Sequence, residues 1–173
     1  GLRVLWLSSP TNAVRLWPDA DVTPNVDVLA ADWNGASFGA PYTVAAGLRA
    51  DNPPAVLAAA EGEWLAYSRA PAAGDETAEV LARFKPAGGQ WGADGALTSD
   101  ALHDMSPQIC PDGTGTPVMA WVKRMVPGTD SEGNETHTDQ LWYSRWTGSA
   151  WGAPVKAYDY LAIKEPKLVR NNA

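Results

Sequence analysis

The chain repeats itself three times, and the third copy straddles its two ends. Three segments read aromatic, short turn, aromatic, then an extended run. They are Asp32-Trp33-Asn34-Gly35-Ala36-Ser37-Phe38, Arg83-Phe84 through Gln90-Trp91, and Arg145-Trp146-Thr147-Gly148-Ser149-Ala150-Trp151. Each leads to a Pro-x-apolar start: Pro54-Ala55-Val56, Pro107-Gln108-Ile109 and Pro166-Lys167-Leu168. A tryptophan-bearing stretch follows the first two, at Trp64 and Trp121. The third has none before Ala173, and its counterpart is the opening stretch with Trp6. Counted around the join, Trp6, Trp64 and Trp121 stand 58, 57 and 58 residues apart. A sequence with such a period is built from small units that bury their faces against one another.

The units are strands. Fourteen Pro and sixteen Gly punctuate the chain too often for helices. The stretches between them are short and rich in Val, Leu, Trp and Tyr. Twelve strands are expected, at 2–9, 26–33, 38–46, 54–60, 63–70, 77–85, 91–98, 107–111, 117–125, 139–147, 151–158 and 166–172. Runs such as Val28-Leu29-Ala30-Ala31 and Val118-Met119-Ala120-Trp121-Val122 are apolar on both faces, which suits strands covered on both sides. Nine Trp is a high count, and most of them recur with the repeat and are core residues first. The repeats occupy about 54–98, 107–158, and 166–173 joined to 2–46, all within one domain of 1–173. Four antiparallel strands per repeat is the blade of a β-propeller, so the expected fold is an all-β propeller with three blades per chain.

The run Leu141-Trp142-Tyr143-Ser144-Arg145-Trp146-Thr147-Gly148-Ser149-Ala150-Trp151-Gly152-Ala153-Pro154 resembles the blade repeat of bacterial β-propellers of the sialidase-like (BNR-type) superfamily. That superfamily mixes glycosidases, lectins and non-catalytic scaffolds. The Ser-x-Asp-x-Gly-x-Thr-Trp box of true sialidases is absent, and Pro111-Asp112-Gly113-Thr114-Gly115 lies in a different turn. The resemblance therefore implies a non-catalytic, extracellular or cell-surface member. Its leading expected function is binding a glycan or another extracellular ligand. A structural or protein-interaction propeller half and a glycoside hydrolase relative are the alternatives.

Propellers hold about four to eight blades, so three would leave two bare faces. With one strand of a blade at the C-terminus and the other three at the N-terminus, two chains around a two-fold axis would close a six-bladed ring. The expected partner is thus a second copy, or another chain supplying the remaining blades.

The formal charge of -7 argues against a nucleic-acid partner, which calls for a basic face. No stretch approaches the ~18–20 apolar residues that span a bilayer. No leader is read at Gly1, which opens directly on a strand. The single Cys110 excludes an internal disulfide framework and reads as a small buried hydrophobe. No motif for a cofactor stands out, and none is expected.

Binding residues are expected on the long connections, 10–25, 71–76 and 126–138 together with 47–53, 99–106 and 159–165, because loops on a rigid scaffold carry function. The first connection holds Asn12, Arg15, Trp17, Asp19 and Asp21. Trp17 is off the repeat phase; its ring could cover a sugar face while the charged neighbours take hydroxyls. The plainer reading is that Leu16 and Trp17 fold back over a blade edge. Arg49 is a second loop arginine. His103-Asp104 could supply a general base, though no nucleophile accompanies it. Asp130, Glu132, Glu135 and Asp139 crowd one connection and make a weak Ca²⁺ candidate; a solvated acidic tip is the plainer reading.

Overall fold

The computed structural model describes residues 1–8, 25–49, 52–70, 77–125, 128–133, 135–136, 138–160, 163 and 166–170. These residues form strands and turns with no helix. They divide into two compact units, Gly1–Pro53 and Pro54–Ala173.

The first unit is an antiparallel sheet of β1 (Arg3–Ser8), β2 (Asn25–Asp32) and β3 (Tyr42–Arg49), with β2 between its neighbours. Val28, Ala30, Val44, Ala45 and Leu48 are buried. Arg3 Nε bonds Asp32 Oδ1 at 2.6 Å, and the Tyr42 hydroxyl donates to Asp32 Oδ2 at 3.1 Å, tying the three strands at one end.

The second unit holds two four-stranded antiparallel meanders in chain order. One is β4 (Ala55–Ala59), β5 (Gly62–Arg69), β6 (Glu79–Pro86) and β7 (Gly95–Ala96). The other contains β8 (His103–Pro111) and β9 (Pro117–Arg124). A small hairpin, β10 (Gly128–Thr129) and β11 (Glu135–Thr136), interrupts it before β12 (Asp139–Arg145) and β13 (Val155–Tyr160) complete it.

The meanders pack face to face. Leu57, Trp64, Ala66, Val80 and Ala82 of one meet Ile109, Met119 and Trp121 of the other. Trp64 is 4 % exposed and its ring lies 4.7 Å from Trp146, 5.3 Å from Trp151 and 4.6 Å from Phe84. The edge-to-face geometry of the three tryptophans suits the ring quadrupole.

One turn is built twice. Trp33 bridges Phe38, and Trp146 bridges Trp151, with ring centroids 5.2 Å and 5.5 Å apart. Asn34 Oδ1 accepts from the Ala36 and Ser37 amides in the first, and Thr147 Oγ1 accepts from the Ala150 amide in the second. Gly35 and Gly148 then take φ of 105° and 100°, a region closed to β-carbons.

The strand bounds differ from the sequence expectation where proline and side chains intervene. The strands expected at 38–46 and 151–158 begin at Tyr42 and Val155, each just after a proline. A ladder gains nothing from a residue without N–H. In contrast, β8 starts four residues before Pro107. A bulge between Met105 and Gln108, with Ser106 at φ 52°, carries the pairing past the proline. Residues 166–170 lie in no strand, unlike the expected 166–172.

The strand expected at 91–98 contracts to two residues because a side chain does the holding. Asp94 takes bonds from the Tyr67 hydroxyl and Arg83 Nε, and Arg69 Nη1 lies 2.8 Å from it. Burial alone would raise the carboxyl, but hydrogen bonds from Arg83 and Tyr67 overcome it and hold the group down at about 2. The stabilisation is present above the ordinary carboxylate range and is lost as pH falls through about 2. Asp94→Asn should cost about 1–3 kcal/mol at neutral pH, read from urea unfolding. A cost within error of zero would mean that the strap carries no stability.

Candidate functional site

A charged cluster sits at one end of the two meanders, built on β8, β9 and the segment that joins the meanders. Lys123 follows the apolar run Pro117–Val122 of β9, with its side chain 9 % exposed. An ammonium in that place needs a counter-ion. The segment between the meanders supplies two. Asp100 binds Lys123 Nζ directly, and Asp104 Oδ2 stands 3.5 Å from it. Asp104 is wholly buried, and its Oδ1 accepts the Trp121 indole N–H at 2.8 Å. Its backbone N–H bonds Ala78 O at 2.8 Å, stitching β8 to the entry of β6. Glu79 takes hydrogen bonds from the Thr98 side chain and the Asp100 backbone, and Thr98 Oγ1 accepts the Val80 amide at 2.9 Å.

The cluster extends outward along the same face. Lys123 Nζ lies 5.4 Å from the Trp142 ring centre. The Trp142 indole N–H donates to Gln140 Oε1 at 2.9 Å. Gln140 Nε2 donates to Asp159 Oδ1 at 2.8 Å, and Lys156 Nζ pairs Asp159 Oδ2 at 2.8 Å. The row thus runs from a buried carboxyl at Asp104 to exposed groups at Asp100, Lys156 and Asp159.

Electrostatics follow from depth. Burial pushes the Asp104 carboxyl up to about 7, against the pull of Lys123. Burial also raises Glu79. Lys123 loses hydration but is raised on balance by its bonds to Asp100 and Asp104. Asp100 is lowered: burial opposes ionisation, and the Lys123 ammonium and Leu102 amide outweigh it.

The sequence candidates divide. Asn12, Arg15, Trp17, Asp19 and Asp21 lie outside the described residues. Of Arg49 only the backbone, at the end of β3, is described. His103 and Asp104 were expected in a loop and instead open β8. His103 stands opposite Arg124, and Asp104 stands opposite Lys123. Asp104 faces the interior, because the bulge at Ser106 lets the strand begin early and turns the carboxyl toward Trp121.

The acidic tip also separates. Asp130 and Glu132 are exposed, and Asp130 Oδ1 accepts the Glu132 amide at 2.9 Å. Glu135 is paired through its backbone to Thr129. Asp139 is a correction: it is not part of the tip. It is fully buried in β12, bound by Arg124 Nε at 3.0 Å and by the Ile163 amide at 2.9 Å. A buried carboxylate paired with a guanidinium and an amide is turned away from the exposed acids of the tip and cannot join them around one Ca²⁺. Among the described residues no group of three metal-ligating side chains comes together.

Sequence reasoning passed over Lys123 and Asp100. The available signal was a lysine directly after the apolar run Pro117–Val122, which must find an acid nearby. Cys110, expected to be buried, is half-buried in β8.

At the opposite end, a groove of about 420 Å³ is lined by Tyr143, Arg145, Trp146, Thr147, Gly152 and Val155. Its arginine is committed: Arg145 Nε donates to Asp112 Oδ2 at 2.8 Å and Nη2 to Thr114 Oγ1 at 3.1 Å.

No family model, curated protein or solved structure matches the chain.

Proposed function

We propose that this chain is half of a non-catalytic, extracellular β-propeller that closes with a second copy and binds a glycan on its long-loop face. The carrying observation is the pair of four-stranded antiparallel meanders packed through a tryptophan interface, with polar side chains collected at the end where Asp100, Asp104 and Lys123 meet. Repeated sheets stacked through apolar faces are the construction of a propeller. The exposed carboxylates and lysine there, Asp100, Asp159 and Lys156, offer donors and acceptors for sugar hydroxyls, and Trp17 is the aromatic expected to cover a sugar face.

The test is a glycan array probed with the wild-type chain and with Trp17→Ala. Binding of a defined glycan class, reduced at least tenfold in the variant, is the expected result. No binding to any glycan would overturn the carbohydrate reading.

A second reading, a structural or protein-interaction propeller, is favoured by the inward pairing at the end of β9. Lys123 and Arg124 are both engaged with buried or adjacent carboxylates. A glycoside hydrolase gains little, since Asp104 is enclosed by its partners and has no solvent access.

A further inference from the structure

We infer that residues 166–170 of one copy add as a strand to the outer edge of β1 in a second copy, antiparallel to it. The inference deepens the two-copy reading above and rests on it.

Three observations meet. First, β1 pairs with β2 alone among the described residues, so a row of its N–H and C=O groups faces outward. Such an edge is a template for another chain. Second, β1 is underburied for its sequence. Val4-Leu5-Trp6-Leu7 is as apolar as the middles of β5 and β9. Yet six of the eight residues in each of those strands are buried, and none is in β1. The difference matches the neighbours: β5 lies between β4 and β6, and β9 between β8 and β12, whereas β1 has a strand on one side only among the described residues.

Third, the chain carries a segment with a strand signature and no sheet. Pro54 leads into β4 and Pro107 sits within β8, and these are the strands on the corresponding side of β5 and β9. Pro166-Lys167-Leu168-Val169-Arg170 has the same Pro-x-apolar signature but is in no strand, and Val169 is 77 % exposed. Main-chain hydrogen bonds would supply the affinity of such an addition, with alternate side chains supplying its specificity.

The test is a disulfide scan on the 173-residue chain with Cys110→Ser. Val4→Cys is combined in turn with Lys167→Cys, Leu168→Cys, Val169→Cys and Arg170→Cys. Directly opposed residues place their β-carbons about 4.5–5.5 Å apart, close enough to oxidise with small adjustment. A covalent dimer on a non-reducing gel, confined to one or two neighbouring positions, is expected. Crosslinks within a single chain, or none at any position, would overturn the exchange.

A second variant avoids dependence on oxidation. Val169→Pro leaves a segment outside any strand free to fold but removes a ladder donor. It should weaken the dimer at least tenfold by light scattering across concentrations. If the wild type is a dimer that Val169→Pro leaves intact, and no crosslink forms, strand exchange fails while the two-copy reading stands. A wild-type monomer overturns both, and the glycan array judges binding separately.

Discussion

Trp64→Ala is expected to cost about 3–5 kcal/mol, the range for removing a large aromatic from a packed core. A domain of this size has only about 5–15 kcal/mol to lose, so the variant should sit near its unfolding midpoint in dilute denaturant. The cost follows from position. Trp64 stands at the centre of the interface between the two meanders and touches Phe84, Trp146 and Trp151. Those rings come from two sheets, so they cannot collapse into the cavity without moving a strand. Urea unfolding gives the magnitude. Near-ultraviolet circular dichroism should lose the coupled signal of the tryptophan cluster. Trp64→Phe, which keeps most of the volume, should cost well under half as much. A loss below about 1 kcal/mol for alanine would mean that the meanders are held together elsewhere.

The second large effect is a pH dependence seated at Asp104. Its carboxyl titrates near 7 in the folded chain, raised by burial, against an ordinary value near 4. The folded state therefore holds its proton more tightly than the unfolded state. Stability from this group is fully present below about pH 4, declines as pH rises, and is lost above about 7. A shift of this size corresponds to a few kcal/mol as an order of magnitude. Asp94 and Asp100, both lowered, act in the opposite sense and lose their contribution under acid conditions. The chain should accordingly be most stable in mildly acidic buffer and weaker at pH 8. Asp104→Asn keeps an acceptor for the Trp121 indole and leaves Lys123 its bond to Asp100. It should flatten the decline between pH 5 and 8 and raise stability at pH 8. A wild-type profile flat over that range, or an unchanged slope in the variant, would mean that Asp104 stays ionised beside Lys123.

Much of the all-β architecture was legible in the sequence because it rests on local chemistry. Glycine and proline spacing excluded helices. The apolar runs Val28–Ala31 and Val118–Val122 marked strands covered on both faces, and Val28, Ala30 and Trp121 are buried. The Trp-Asn-Gly and Trp-Thr-Gly turns followed from the need for positive φ at Gly35 and Gly148. Each of these depends on a few neighbouring residues, so one stretch of chain is enough to reveal it.

What only the tertiary structure decided depends on residues far apart along the chain. Asp104 looked like a loop acid beside a histidine. A bulge at Ser106 makes it a strand residue and sets it against Trp121 and Lys123, 17 and 19 positions away. Asp139 looked like one of four surface acids, but Arg124 and the Ile163 amide enclose it. Asp94 carried no signal at all, yet it straps its segment to the sheet by engaging Tyr67, Arg69 and Arg83. A carboxylate has the same letter whether hydrated or buried. Its role is set by the cations and N–H groups that folding brings within about 3 Å, and spacing along the chain does not encode that encounter.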